Sequence, residues 1–189
     1  MLGFGILFSG MFAMEAAVLP LRDSPWFYEL FATLQNPILG VLAGAVVTGV
    51  IQSSAASIGI LQALTSTGAI TWGNAIPIIL GQNIGTCVTG LIASIGASRA
   101  AKRVAISHVY FNVIGTVVWL IGIYAVKWTV GLPFMEEAVG MNGIANFHTI
   151  FNTVTTLLFL PFTNMLVKLS EKTVPDKPGD DHPELTPVV

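Results

Sequence analysis

The sequence predicts an all-α integral membrane protein with about four transmembrane helices and one re-entrant helical hairpin. Three observations carry this. Of the 189 residues, 53% are hydrophobic and only 10% are charged, against about 25% charged in soluble domains. The charges gather at Arg22–Asp23, Arg99–Arg103, Lys127, Glu136–Glu137 and the tail after Lys168, with long uncharged runs between them. One of those runs is too long for a single crossing and carries polar residues at its middle. The net charge of −2 points to no nucleic-acid partner, and the single cysteine, Cys87, excludes an internal disulfide.

Met1–Leu21 is long enough to span, since ~20 helical residues cover the ~30 Å hydrocarbon core. It lacks the basic start of a signal peptide and carries Glu15 within its apolar run. An ionisable residue inside a span is a functional candidate by default. Glu15 comes late in this one, and the preferred reading places it near the outer interface, reaching water or pairing with Arg22. Ser24-Pro25 opens a short amphipathic piece, Trp26–Leu34, expected at the interface.

Pro37–Gly68 follows, and its 32 residues would measure ~48 Å as one straight helix. Gln52-Ser53-Ser54 falls at its centre. Two half-helices, Ile38–Ile51 and Ala55–Thr67, folded as a re-entrant hairpin with the polar motif at the tip, account for both facts. The alternative is a long tilted helix with a polar face. Ala75–Ala97 is the next segment. Gly81-Gln82-Asn83-Ile84-Gly85-Thr86 interrupts it with two glycines and three polar side chains, which predicts a second, unwound break. Val104–Val126 and Asn142–Val167 complete the spans. Residues 1–169 form the membrane domain. Residues 170–189, with four prolines, two glutamates, three aspartates and His182, read as a polar linker or tail without fixed structure.

Lysine and arginine concentrate on the cytoplasmic side of membrane proteins. Arg99, Lys102 and Arg103 lie between two spans, and Lys168, Lys172 and Lys177 follow the last. Both groups are therefore expected inside. The loop Lys127–Met141 is then outside, the N-terminus inside, and the hairpin enters from outside. A short echo, His-x-x-Phe-Asn, occurs at His108–Asn112 and again at His148–Asn152, 40 residues apart. Helix-to-helix hydrogen bonding, worth ~0.6–2 kcal/mol each in a membrane, is preferred for these residues over a proton relay.

Backbone groups at membrane depth must be satisfied, so helices break there only where protein or a water-filled cavity receives them. Broken helices are a recurrent way to build transport sites. Half-helix N-termini offer N–H groups and a positive dipole end to an anion, while half-helix C-termini offer carbonyls to a small cation. Ser53, Ser54 and Ser57 can donate hydroxyl hydrogen bonds to an oxyanion. Gln52, Asn83 and Thr86 supply neutral oxygens suited to Na⁺. No carboxylate or histidine cluster with transition-metal spacing accompanies them, and no nucleophile–base pair suggests an enzyme. The plain alternative is interhelical packing, where Ser, Gly and Ala are enriched in any case.

Gln52-Ser53-Ser54 within Thr48–Gly59, followed by Leu80–Thr86, resembles the type II sodium/phosphate cotransporter family. So do Arg99–Arg103 and Ile144–Asn152, and the similarity runs from about Gly3 to Pro175. The resemblance implies a secondary transporter of two inverted repeats, each with a Gln-Ser-Ser hairpin, binding phosphate and sodium near the midplane between them. Gln52, Ser53 and Ser54 would line the phosphate and sodium site, Asn83 and Thr86 the facing span, and Ser57 stands where the family often has Thr. Ala55 and Cys87 depart from the family, which often has Ser and Thr there. Only one Gln-Ser-Ser motif is present, so the chain resembles the second repeat alone. Pro183–Val189 resembles the linker before a cytoplasmic regulatory domain of bacterial members.

The expected function is sodium-coupled phosphate symport, with this chain as the C-terminal half of the transport domain in a bacterial plasma membrane. Its partners are then inorganic phosphate, sodium as the coupling ion with no further cofactor, the lipid bilayer, and a separate first repeat. Phosphate carries one to two negative charges near neutral pH. Each net charge moved is worth ~2.3 kcal/mol per 100 mV, so coupled sodium must offset it. Two alternatives stand beside this: a non-transporting membrane subunit or scaffold that pairs with a separate half, and phosphate efflux.

Overall fold

The computed structural model describes residues 2–176 and is helical nearly throughout. Eight α-helices follow in order among the described residues: α1 Leu2–Val18, α2 Pro25–Thr33, α3 Pro37–Ile51, α4 Ser54–Leu64, α5 Trp72–Ala93, α6 Arg99–Thr129, α7 Met141–Phe159 and α8 Thr163–Thr173. Among the described residues, four segments are long and apolar enough to cross a membrane: Leu2–Leu21, Trp72–Ala93, Arg99–Thr129 and Met141–Thr173. The chain is an all-α integral membrane protein. Helix α8 continues past Leu169 and buries Ser170, so the first residues of the expected tail are helical; the tail from Lys177 onward lies outside the described residues.

Local chemistry sets the helix starts. Asn36 caps α3, its Oδ1 accepting from the N–H groups of Ile38 (3.0 Å) and Leu39 (3.3 Å), with Pro37 at the first helical position, where its missing N–H costs nothing. Ser98 caps α6 through the Ala101 N–H (3.3 Å). Helices α2 and α3 meet at a bend of 110°. Helix α2 buries Phe27 and Phe31 against Leu61, Ile70, Ile78 and Val139.

Helix α5 is the axis. Glycines on both helices make its contact with α3. A Cβ on Gly81 would collide with the Val41 carbonyl and one on Gly44 with the Ile78 carbonyl. At Gly85 it would stand 2.5 Å from the Ala45 carbonyl, and at Gly40 2.7 Å from Pro77 Cβ. Small residues four apart let two helix backbones approach this closely. The contacts advance together, Val41 with Gly81, Ala45 with Gly85 and Gly49 with Val88, so α3 and α5 run parallel. This corrects the expected break at Gly81–Thr86: α5 is continuous from Trp72 to Ala93. Two of its polar residues bond back within the helix, Asn83 Nδ2 donating to the Ile79 carbonyl (2.9 Å) and Thr86 Oγ1 to the Gln82 carbonyl (2.9 Å).

Helix α6 returns antiparallel to α5, with Thr116 Oγ1 donating to the Leu80 carbonyl (3.3 Å) and Cys87 Sγ to the His108 carbonyl (3.5 Å). Helix α7 reverses again, Trp119 Nε1 donating to Thr155 Oγ1 (2.9 Å) with its ring 5.7 Å from Phe151. In the His-x-x-Phe-Asn echo, each Asn donates to the carbonyl of its own His, at 3.0 Å for Asn112 and 2.8 Å for Asn152. Asn112 also reaches across to Cys87 Sγ (3.4 Å).

The two ends of the bundle differ. At one, Arg103 bonds the Val174 carbonyl (3.0 Å) and the Asp176 carboxylate (2.8 Å), and Arg99 bonds the Pro175 carbonyl. At the other, residues 70–72 pair with 137–139, and Lys127 lies 3.9 Å from Glu136.

Candidate functional site

The hairpin expected in Pro37–Gly68 is present, and its turn falls at Gln52-Ser53. Helix α3 ends when the Gln52 N–H donates to the Thr48 carbonyl (2.7 Å). Gln52 then adopts the left-handed conformation, φ 57° and ψ 23°. Ser53 is extended and caps α4, its Oγ accepting from the Ala56 N–H (3.2 Å). Thr48 Oγ1 donates to Ser57 Oγ at 2.7 Å. Nine residues of unbroken helix would separate these two by ~13.5 Å, so the chain folds back on itself here.

Gln52 is the only non-glycine residue with positive φ among the described residues; the other three positions, 68, 96 and 131, are glycines. A side chain in this conformation costs about 1–2 kcal/mol. Such outliers persist where the side chain is needed, and the Gln52 side chain is exposed at the tip. Ser53 and Ser54, half-buried, stand beside it. The tip therefore joins two opposite helix ends. The C-terminus of α3 presents carbonyls with the negative end of its dipole. The N-terminus of α4 presents the Ser54 and Ala55 N–H groups with the positive end. An anion and a cation can share this tip, each on its own side.

Ser57 has a different setting. It is 1% exposed and accepts from Thr48 Oγ1 and from Gln82 Nε2 (2.8 Å), while Gln82 Nε2 also donates to the Ser57 carbonyl (3.1 Å). The three side chains lock both hairpin arms to α5. Thr48 and Gln82 were not among the residues expected at the site. Their signal is positional: Thr48 lies four residues before Gln52 and Ser57 four after Ser53, so a reversal at the break brings them face to face.

The other two expected residues sit on α5. At ~100° per residue, Thr86 lies ~40° around α5 from Gln82, one turn nearer the tip's end of the helix. Asn83 lies ~200° from Gly81, on the stripe with Leu80 and Cys87 that bonds α6. The structure thus brings Gln52, Ser53 and Ser54 together, sets Ser57 in the lock above them, keeps Thr86 on the hairpin side, and turns Asn83 toward α6. No group of three or more His, Cys, Asp or Glu able to hold a metal occurs among the described residues.

A family model described as Na+/Pi-cotransporter matches residues 6–137, which takes in α1, the hairpin, α5 and α6. YqeW, an uncharacterized protein of Bacillus subtilis, is 34% identical over 188 residues, covering 93% of this chain and 57% of its own length. YjbB of Escherichia coli, named as a candidate inorganic phosphate export protein, is 26% identical over 181 residues, covering 95% of this chain and 33% of its own. The human sodium-dependent phosphate transport protein 2B is 31% identical over 160 residues, covering 78% of this chain and 22% of its own. The chain thus spans 57% or less of these relatives. No solved structure matches it.

Proposed function

Since the chain belongs to the Na+/Pi-cotransporter family, we propose that it carries one substrate hairpin of a sodium-coupled phosphate transporter. The observation that carries the reading is the tip itself: an amide held in a left-handed turn between a helix C-terminus and a helix N-terminus. Phosphate oxygens accept from the Ser53 and Ser54 hydroxyls and from the first N–H groups of α4. Sodium takes the Gln52 amide oxygen and carbonyls at the end of α3, with Thr86 next in line and Asn83 the remaining candidate. Ser57 supports the tip from behind through Thr48 and Gln82.

A transporter of this kind performs no covalent chemistry. It exchanges the hydration shells of two ions for fixed dipoles, and sodium moving down its gradient offsets the charge on phosphate. The single Gln-Ser-Ser hairpin supports a second half of the site on a companion repeat, and we propose that the chain acts with one. Transport outward is the second reading, favoured by the name of the Escherichia coli relative; the same site serves either direction, because a coupled carrier follows its gradients.

The test is radiolabelled phosphate uptake into proteoliposomes holding this chain together with a first-repeat chain, with sodium or choline outside. Sodium-dependent uptake that disappears in Gln52→Ala supports the assignment. Uptake unchanged in that variant, with insertion intact, removes Gln52 from the site, and equal uptake in choline removes the coupling.

A further inference from the structure

Helix α7 needs no help from α8 to cross a membrane. Its 19 residues measure ~28 Å, against a hydrocarbon core of ~30 Å. The chain then turns through the short 3-10 stretch Leu160–Phe162, which contains Pro161. The Phe159 ring, at the end of α7, lies 5.3 Å from the Phe111 ring. The Thr173 hydroxyl, at the end of α8, lies 2.7 Å from the Tyr110 hydroxyl. Fourteen residues separate Phe159 from Thr173, and as straight helix they would carry Thr173 ~21 Å along α6. Both ends meet adjacent residues of α6, so α8 crosses α6 steeply and does not prolong α7. It lies close to the membrane plane, at the basic end of the bundle. Arg103 and Arg99 hold it there by bonding the residues that follow it, Val174, Pro175 and Asp176.

The side chains of α8 are sorted for that position. Ser170, 2% exposed, marks the side toward the bundle. At ~100° per residue, Lys168 and Lys172 lie ~160° from it on either side, so both point away from the bundle, and both are exposed. Met165 and Leu169 occupy one flank. Asn164 and Glu171 occupy the other, where Val167 is the one apolar residue. Leu160 and Phe162, on the approach to α8, are 58% and 52% exposed. A helix lying in the plane with an apolar flank toward hydrocarbon and lysines level with the headgroups is the pattern of an interfacial helix.

We propose that α8 binds anionic phospholipid headgroups, of the phosphatidylglycerol class, through Lys168 and Lys172 in the leaflet at the basic end. Charge complementarity selects this occupant, because an anionic lipid offers a phosphate to the lysines and acyl chains to Met165, Leu169 and Phe162 together. Each lysine near an anionic surface strengthens binding about 5-fold. Glu171 projects from the opposite flank toward water and does not cancel the pair. The inference does not depend on what the hairpin transports.

The experiment is native mass spectrometry of the full chain released from detergent, with phosphatidylglycerol or phosphatidylcholine of the same acyl chains added in steps. Phosphatidylglycerol should bind more tightly than phosphatidylcholine. The double variant Lys168→Gln/Lys172→Gln should lower phosphatidylglycerol affinity at least ~10-fold, the effect of two lysines, and leave phosphatidylcholine unchanged. Lys168→Arg/Lys172→Arg should keep the preference, and Lys127→Gln, at the opposite end, should alter neither lipid. Both lysines are exposed, so the melting temperatures of the variants should match that of the parent chain. Equal affinity for the two lipids, or phosphatidylglycerol binding unchanged in the folded double variant, overturns the proposal. A double variant that changes oligomeric state and not lipid binding overturns it too, and gives the face to a second copy of the chain.

Discussion

At Gln52 the backbone asks for glycine and the chain supplies an amide. Because the left-handed conformation costs a side chain about 1–2 kcal/mol, Gln52→Gly separates folding from function. It should leave thermal stability in detergent unchanged or raise it by about 1 kcal/mol, while lowering sodium-dependent phosphate uptake at least ~10-fold. A variant that loses both would mean that the amide holds the turn together. Ser57 makes the opposite case. Ser57→Ala removes the acceptor of Thr48 and one acceptor of Gln82, and a buried donor left unpaired costs about 1–3 kcal/mol. Its melting temperature should fall, and uptake should fall with it as the arms loosen. The break was legible because Gln, Ser and Ser stand together in hydrocarbon. The lock was not, because it joins residues that become neighbours only once the chain has reversed and α5 has docked.

A glycine pair in an apolar segment has two physical meanings, a place to unwind or a place to pack. In Gly81–Thr86 the polar residues between the glycines suggested unwinding. The structure shows packing, and the deciding fact lies in another helix: α3 carries Gly40, Gly44 and Gly49 in register with Pro77, Gln82 and Gly85. The two runs of glycines answer each other across the sequence, and neither is decisive alone. Gly81→Ala should destabilise by about 1–3 kcal/mol, the usual cost of overpacking, because the atom it meets is a backbone carbonyl that cannot swing aside. Gly90→Ala, where no heavy atom lies within 4 Å, should be neutral or gain up to about 1 kcal/mol of helix propensity. Equal melting temperatures for the two variants would show that α3 and α5 are not in backbone contact.

On the scale of the molecule, the alternating directions of α5, α6 and α7 decide where the basic residues go. Helix α6 begins with Arg99, Lys102 and Arg103, and α8 ends with Lys172; Arg103 and the residues after α8 bond each other directly. The two basic groups therefore share one end of the bundle, as the charge pattern alone requires. Glu136 and Glu137 sit at the other end, tied to the start of α5. The hairpin base lies at that acidic end too, where Tyr28 of α2 donates to the Thr67 carbonyl (3.2 Å), and its tip descends beside α5 toward the basic end. If the basic end is cytoplasmic, the hairpin enters from outside and its tip lies toward the cytoplasmic end. Cysteines placed singly at Lys102, Lys172 and Glu137, in a Cys87→Ser background, test this with a membrane-impermeant maleimide on intact cells. Glu137→Cys should label, and Lys102→Cys and Lys172→Cys should label only after permeabilisation. Labelling of Lys102→Cys but not Glu137→Cys on intact cells would invert the protein, and with it the side from which the hairpin enters the membrane. Labelling of all three would mean that the chain inserts in both orientations, so that two copies could build an inverted pair without a separate first repeat.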